Sequence, residues 1–161
     1  MVENVDENIP DNESVIRGIC TPYHLDRHGK KLKKGAFRQK NPTEGVSVYR
    51  RAILTESECK GRAKKLSSDN KQYVGLAHVF AGDIRNSQCA VDDSREQFYG
   101  HADVVVLTKG QFVYSPGEPL PPEIVEVVDR RIGELLKQVS YHSDSDVNAE
   151  HWPGPELPAH R

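Results

Sequence analysis

An apolar stripe with helical spacing in the last third of the chain constrains the fold more than any other feature. Seven aliphatic residues form this stripe after Pro121 and Pro122: Ile124, Val127, Val128, Ile132, Leu135, Leu136 and Val139. Residues at such spacing share one face of an α-helix. Glu123 near its start and Lys137 near its end complement the helix dipole. The pattern therefore predicts an amphipathic helix over residues 121–139 that packs across a sheet.

Four β-prone runs predict the strands of that sheet, over residues 15–20, 46–50, 73–80 and 98–107. The last run ends in four consecutive aliphatic residues, and we expect it to be a central strand. Residues 111–114 are expected to return from it as a hairpin partner. The segment 82–94 is expected to be irregular, with a short strand at 89–91.

A second helix is predicted by the sequence Thr55-Glu56-Ser57-Glu58, which fits a capping box. The helix should run to about residue 66. Its buried side is expected to hold Cys59, Ala63 and Leu66, while its basic residues lie mostly in water: Lys60, Arg62, Lys64 and Lys65.

These elements together predict a single α+β domain over residues 15–139, with a mixed or mostly antiparallel sheet, one short capped helix and one long amphipathic helix. Residues 21–45 are expected to form a long loop with at most a helical turn near 31–37. The acidic residues 1–14 predict a flexible leader. Residues 140–161, which are rich in Ser, His, Asp, Pro and Gly, predict a disordered tail or a short partner-binding segment.

The composition argues against a membrane protein, because only 36% of the residues are hydrophobic and 29% are charged. No apolar run approaches the roughly 20 residues that a spanning helix needs. Residues 1–14 hold five acids and no Lys or Arg, unlike a signal or transit peptide. The three cysteines form no CxxC pair and no even set. These features predict a cytoplasmic protein.

The net charge of −2 conceals a strong segregation of charge along the chain. Residues 1–16 carry −5, residues 17–71 carry +10 and residues 72–161 carry −7. The basic segment contains a run around Phe37: Arg27, Lys30, Lys31, Lys33, Lys34, Arg38 and Lys40. Such a run can bind the phosphates of a nucleic acid while an aromatic ring stacks on a base. The alternative is a solvated surface that the acidic segments neutralise.

The histidine-rich start of the long loop suggests a metal site, because His24, Asp26 and His28 would point to one side of an extended segment. Imidazole and carboxylate groups can bind a divalent metal. No second cluster of ligands follows in the sequence, however, and a polar loop needs no metal. We therefore interpret the segment as a solvated loop and predict no metal site.

A histidine and an aspartate share a face of the strand predicted at 98–107. His101 and Asp103 could act as an acid/base pair, since a carboxylate can fix the tautomer of a nearby imidazole. Gly100 before them allows close approach of a ligand or another backbone segment, and His78 on the preceding predicted strand could lie beside them. The alternative is a strand end whose His and Asp bond to loop backbone.

An ordered set of residues completes the candidates: Arg17 in the first strand, Gly35 to Arg38 in the loop, Gly45 to Tyr49 in the second strand, and Glu56 and Glu58 at the helix start. An arginine can grip phosphate, a tyrosine can stack on a planar ring, and a carboxylate can stabilise a ribosyl cation. Over residues 15–66 this order resembles the RES domain, a branch of the ADP-ribosyltransferase-like fold. In one respect it departs from the family, because Arg50 and Arg51 follow the tyrosine where the family has small apolar residues.

The resemblance implies a split β-sheet that clamps NAD and an enzyme that consumes the dinucleotide, as toxins of this kind do. Arg17 would grip phosphate, Tyr49 would take the family's tyrosine position, and Glu58, or less readily Glu56, would take its glutamate position. His101 and Asp103 would add an acid/base pair. We expect a phosphate-containing ligand to contact four further residues: Lys33, Lys34, Arg38 and Ser47.

The competing hypothesis is a non-catalytic subunit. Its basic loop, over residues 27–40, would dock on a protein or nucleic acid, and the charge segregation along the chain favours this reading.

Overall fold

Six antiparallel strands and three α-helices make up the part of the chain that the computed structural model describes, residues 7–39, 44–107 and 117–161. The strands are β1 (Ser14–Thr21), β2 (Val46–Arg50), β3 (Gln72–Phe80), β4 (Ala90–Asp93), β5 (His101–Val105) and β6 (Ser140–Ser143). The helices are α1 (Glu56–Lys64), α2 (Ala81–Asn86) and α3 (Pro122–Leu136), with a short 3-10 helix at Lys34–Phe37. The strand order is β4-β5-β2-β1-β3-β6. The predicted α+β class is confirmed.

The two faces of the sheet are covered by different elements. On the first, which we call the α3 face, strand residues such as Val15 and Val48 pack with Ile132 and Leu135 of α3. On the other, which we call the α1 face, Ile16 and Tyr49 pack with Ala63 of α1. The α1 helix lies so close to β1 that a Cβ at Gly18 would sit 2.6 Å from the Cβ of Ala63.

The predicted capping box of α1 is present. The Thr55 hydroxyl accepts a hydrogen bond from the Glu58 backbone N–H at 3.1 Å, and the Glu58 carboxylate accepts one from the Thr55 N–H at 3.0 Å. The expectation that Lys60 lies in water is wrong. Lys60 is fully buried, because the end of the chain folds over this helix and supplies acceptors for its ammonium group.

The prediction of a disordered tail is also wrong. Strand β6 pairs with β3 along the edge of the sheet, from Gly75 to His78. Farther along, Leu157 is fully buried and Trp152 is 8% exposed, both against the α1 face. Few residues in the tail are apolar, but these two pack against an apolar surface that the sheet and α1 already form. The backbone of β6 pairs with the edge of β3, which would otherwise be open.

The described part of the leader is ordered as well, contrary to the prediction for residues 1–14. Ile9 is 1% exposed, and the Glu13 carboxylate accepts two hydrogen bonds from the Arg50 guanidinium, each at 2.6 Å. The same guanidinium donates to Asp93 at 2.8 Å. The two ends of the chain also meet, since the Ser14 N–H donates to the Ala159 carbonyl. The ordered unit therefore exceeds residues 15–139.

Two further differences concern the middle of the chain. Helix α2 occupies the start of the segment expected to be irregular, and β4 follows it over Ala90–Asp93. The strand predicted at 98–107 is shorter, because residues 98–100 belong to the turn that joins β4 to β5. The predicted hairpin partner at 111–114 lies outside the described residues.

Candidate functional site

Two hydrogen bonds join three side chains on the α1 face, where β2 and β5 pair, and a fourth side chain interacts with them. Ser47 Oγ lies 3.0 Å from His101 Nε2, and His101 Nδ1 lies 2.6 Å from Ser94 Oγ. The Ser94 hydroxyl also acts on the Asp103 carboxyl and lowers its pKa. We call these four residues the His101 relay.

The direction of each hydrogen bond follows from the number of protons available. We assign the Ser94 proton to the Asp103 carboxylate, because the Ser94 hydroxyl lowers the pKa of that group and an ionised carboxylate can only accept. Ser94 has then used its single proton and must accept from His101 Nδ1–H. The Nε2 atom of the neutral imidazole is therefore an acceptor, and the Ser47 hydroxyl donates to it. This tautomer is assigned from the hydrogen-bond network.

Strand geometry brings these side chains together. In the β2–β5 pair, Ser47 lies opposite Asp103 and Tyr49 lies opposite His101, so all four point to the same face. Ser94 follows β4, and its backbone N–H donates to the His101 carbonyl at 2.9 Å. His101 and Ser94 are buried, whereas Ser47 and Asp103 are partly exposed. The relay therefore has a buried middle, His101 and Ser94, between two partly exposed residues, Ser47 and Asp103.

Burial controls the charge of the relay. It lowers the pKa of His101, against the opposing effect of the nearby Asp103 carboxylate. Burial also raises the pKa of Asp103, while the Ser94 bond lowers it. A histidine with a lowered pKa is neutral at pH 7 and can accept a proton.

Aromatic rings and one cation surround the imidazole. Phe98 packs edge-on against His101 with ring centroids 5.0 Å apart, and Tyr49 does so at 6.3 Å. The Arg62 guanidinium covers the Phe98 ring at 3.9 Å from its centroid. This guanidinium forms no hydrogen bond or ion pair with any of the described residues. Arg62 is thus a cation near the relay that can bind an anionic group.

Gly100 allows another group to approach closely, as expected, but that group is a protein side chain rather than a ligand. Its φ is +101°, and a Cβ there would lie 2.8 Å from Leu54. His78 does not join the site, because β1 and β2 separate its strand from β5. It stacks instead on His142 of β6, with ring centroids 5.9 Å apart.

Arg17 lies on the opposite face from Tyr49, because it follows Ile16, the residue that pairs directly with Tyr49. Its Nε donates to the Ala36 carbonyl at 2.8 Å and its Nη1 to the Ser47 carbonyl at 3.2 Å. Burial lowers the pKa of this guanidinium. Arg17 therefore contacts the backbone of the relay strand, but not the relay's side chains.

The predicted glutamates lie at the start of α1. Glu58 is exposed and occupied by the capping box. Glu56 accepts from the Leu157 backbone N–H and lies 3.8 Å from Arg51. Both carboxylates serve the helix and the chain end, and the structure does not bring Arg17, Tyr49 and Glu58 into one cluster.

Two of the three predicted ligand-binding residues of the basic loop, Lys34 and Arg38, lie near α3. Arg38 pairs with Asp129 at 2.9 Å on an exposed surface, and the Lys34 side chain approaches Gly133. Lys33 is exposed. Phe37 is fully buried, so it cannot stack on a base as expected.

The three metal-ligand candidates do not converge. His24 is buried, and its Nδ1 accepts a hydrogen bond from the Cys20 N–H at 2.9 Å, while burial lowers its pKa to about 3. Asp26 accepts from the backbone of Lys30, and His28 is exposed. Within the described ranges, no three His, Cys, Asp or Glu side chains form a group that could hold a metal ion.

Sequence reasoning missed Ser94, Phe98 and Arg62. Ser94 lies seven residues before His101, and only knowledge of the β4–β5 hairpin would have placed the two together. Arg62 was assigned to the solvated side of its helix. No local sequence signal marks a cation that shares an aromatic ring with a histidine 39 positions away.

No known protein family, curated protein or solved structure matches the chain. The described part contains no helix that is both long and apolar enough to cross a membrane. Side-chain geometry is therefore the basis for assigning a function.

Proposed function

We propose that the protein is an enzyme that transfers an electrophilic group through the Ser47 hydroxyl, with His101 as the general base. The observation that supports it most directly is the 3.0 Å contact between Ser47 Oγ and His101 Nε2. In the tautomer that the network requires, Nε2 is ready to take the Ser47 proton. A nucleophile, a base and a group that orients the base are the parts of a nucleophilic hydrolase site.

The reaction consists of two balanced steps. Ser47 Oγ forms a bond to the electrophilic carbon of an ester-like substrate, and its proton passes to His101 Nε2. The leaving group departs with that proton. A water molecule then gives its proton to Nε2 and attacks the same carbon, which frees the acid product and returns the proton to Ser47. Ser94 and Asp103 hold the imidazole in the required tautomer throughout.

The charge beside the relay indicates the class of substrate. Arg62 stacks on Phe98 and has no carboxylate partner among the described residues, so a small substrate with a carboxylate or phosphate suits the site. A phosphate-containing small molecule is such a substrate.

A fluorophosphonate probe tests this proposal, because it forms a stable bond only with an activated serine. Intact-mass spectrometry should show one adduct, mapped to Ser47 by peptide sequencing. Ser47→Ala should abolish the adduct and His101→Gln should slow its formation about 100-fold. Ser145→Ala, at an exposed serine, is the matched control and should label normally. Absence of an adduct on the wild-type chain would contradict the proposal.

A second candidate is the consumption of NAD by ribosyl transfer, and one feature of the sheet favours it. Strand β1 pairs with β3 at eight positions but with β2 only at Val15 and Ile16. Arg17 follows the last β1–β2 pair, and its Nη2 has no hydrogen bond to a described residue. A phosphate of the dinucleotide would bind there, on the α3 face, whereas His101 and Asp103 lie on the α1 face and take no part in this candidate.

Chromatography of NAD incubated with purified protein tests the second candidate. We expect loss of NAD and a higher melting temperature at millimolar NAD, since a ligand stabilises the state it binds. Arg17→Lys should weaken both effects, whereas Arg27→Lys, at an exposed position, should weaken neither. If NAD stays intact and the melting temperature does not move, this candidate fails while the Ser47 proposal stands.

We infer a cytoplasmic location from the cysteines. Cys20, Cys59 and Cys89 are all free and buried, and proteins of oxidising compartments tend to use their cysteines in disulfides. Fractionation of cells that express the protein tests this, and recovery from a secreted fraction would contradict it.

A further inference from the structure

The loop over residues 22–34 presents an unusual density of exposed, unpaired positive charge. Its five cations are all exposed, and none forms an ion pair with a described residue: Arg27, Lys30, Lys31, Lys33 and Lys34. The loop contains one acid, Asp26, whose carboxylate accepts the backbone N–H groups of Lys30 at 2.9 Å and Lys31 at 3.3 Å. The carboxylate is therefore engaged by the loop's own backbone.

The loop is ordered by pairing between its two arms. The Asp26 N–H donates to the Lys31 carbonyl and the Lys33 N–H to the His24 carbonyl, both at 2.8 Å. At the base of the loop, a Cβ at Gly35 would lie 2.5 Å from the Tyr23 carbonyl oxygen. This pairing sets the backbone of Tyr23 beside the segment that holds Lys33 and Lys34.

Tyr23 is the one large hydrophobic side chain that is exposed among the described residues, at 54%. Pro22 and Leu25, which are close to Tyr23 in the chain, line a depression of about 270 Å³ whose wall also holds Asp26, Arg27 and Lys33. Small-molecule pockets usually measure about 300–1,000 Å³. The depression therefore suits a single planar group, such as one nucleobase, better than a whole dinucleotide.

We propose that the 22–34 loop binds single-stranded nucleic acid. Its lysines and Arg27 contact phosphates, and Tyr23 stacks on an unpaired base. Phosphate contact through free cations and stacking on an exposed aromatic ring are the two contributions that bind single strands without sequence preference. A duplex keeps its bases stacked on one another and offers Tyr23 no face. No residue of this loop belongs to the His101 relay, so the two proposals fail independently.

Fluorescence anisotropy with a labelled 12-nucleotide single strand tests the proposal on the full-length protein. We expect tighter binding to the single strand than to the matching duplex, and weaker binding as salt rises. Tyr23→Ala should reduce affinity at least fivefold without changing the salt dependence, while Tyr23→Trp should retain binding. The combined change Lys30→Gln, Lys31→Gln and Lys33→Gln should lower the slope of log affinity against log salt by about 2.

The control removes the same charge elsewhere, through Lys64→Gln, Lys65→Gln and Lys137→Gln, and should bind like the wild-type chain. Circular dichroism melts of every variant exclude unfolding as the cause. Three results would overturn the proposal: no binding near 0.1 M salt, equal loss in the control and loop variants, or equal binding of a polyglutamate peptide that Tyr23→Ala leaves unaffected. The last result would assign the loop to an acidic protein partner instead.

Discussion

Two buried polar networks lie on the α1 face, and they differ in where they end. In the first, the Lys60 ammonium contacts Asp144 Oδ2, the Asp146 carbonyl and the His151 carbonyl, each at 2.8 Å. Asp144 also accepts from the Tyr73 hydroxyl at 2.7 Å. In the second, the His101 relay runs from Asp103 to Ser47, and both of these residues are partly exposed.

This difference separates a structural network from one capable of chemistry. All three protons of Lys60 have acceptors inside the protein, so the network has no group left for a substrate and fixes the end of the chain on α1. The relay, in contrast, ends at two partly exposed residues, Ser47 and Asp103, with a neutral base between them. A buried polar group therefore indicates a site only when its network ends at an accessible atom.

The largest effect is expected from breaking the Lys60 network, which we call the closed network because every proton of its ammonium group has an acceptor inside the protein. Lys60→Met should lower the free energy of unfolding by about 3–5 kcal/mol, because it leaves the Asp144 carboxylate buried without its cation. Lys65→Met, at the exposed C-cap of the same helix, should change it by less than about 0.5 kcal/mol. Urea denaturation measures both. An equal effect of the two variants would show that the Lys60 network does not hold the fold together.

The His101 relay, which we call the open network, should respond in the opposite way, with a large loss of reactivity and a small loss of stability. His101→Gln should reduce the rate of Ser47 labelling about 100-fold, the loss expected on removing a general base. Its unfolding free energy should fall by only about 1–2 kcal/mol, since hydrogen bonds are lost without stranding a charge. Mass spectrometry of samples quenched at successive times gives the labelling rate, and urea denaturation of the same preparation gives the free energy of unfolding. A variant that labels normally would show that His101 is structural.

The two networks also show which parts of this structure can be predicted from the sequence and which cannot. Local patterns sufficed for the elements that carry their own signal, such as the stripe of α3 and the capping box at Thr55. Lys60 was misplaced because its acceptors lie about 85 to 90 positions away, in a segment whose composition is typical of disorder. Long-range pairing, here of β6 with β3, leaves no mark in a local window.

The same limit applies to the site. Alternation along the strand correctly placed His101 and Asp103 on one face, but the link between them through Ser94 depends on the β4–β5 turn. The sequence predicts Ser47 only as a ligand contact, from its place in the ordered set of candidate residues. Its position opposite Asp103 depends on the register of β2 and β5, which sequence periodicity leaves open.

Acid should affect the two networks in different pH ranges. The pKa of His101 is lowered below 6.5, so the labelling rate should stay high at pH 6.5 and then fall about tenfold per pH unit as Nε2 becomes protonated. The Lys60 bond holds the pKa of Asp144 below 3.8, against its burial. That carboxyl binds fewer protons folded than unfolded, so its contribution to stability is complete above its unfolded pKa and is lost as the pH falls from there through the lower folded value.

Labelling rates from pH 4 to 8, with urea denaturation of wild type and Lys60→Met over the same range, test this separation. The stability difference between the two chains should be largest at neutral pH and shrink as the pH falls, because without Lys60 the buried Asp144 carboxyl takes up a proton more readily. The labelling midpoint should lie below 6.5, and Asp103→Asn should move it lower still, because the Asp103 charge raises the pKa of His101. A midpoint above 6.5 would contradict the assignment of a neutral, buried base.

The smallest effect tests the tautomer on which the relay depends. Ser94→Ala removes the acceptor for His101 Nδ1–H and lets the imidazole exchange its tautomers, so labelling should slow about fivefold to tenfold with little change in stability. Tyr73→Phe is the matched deletion in the closed network. It removes one hydroxyl from Asp144 and should lower the unfolding free energy by about 1.5–3 kcal/mol with labelling unchanged. If Ser94→Ala instead cost stability and spared labelling, both networks would have to be regarded as structural, and Ser47 would lose its place as the nucleophile.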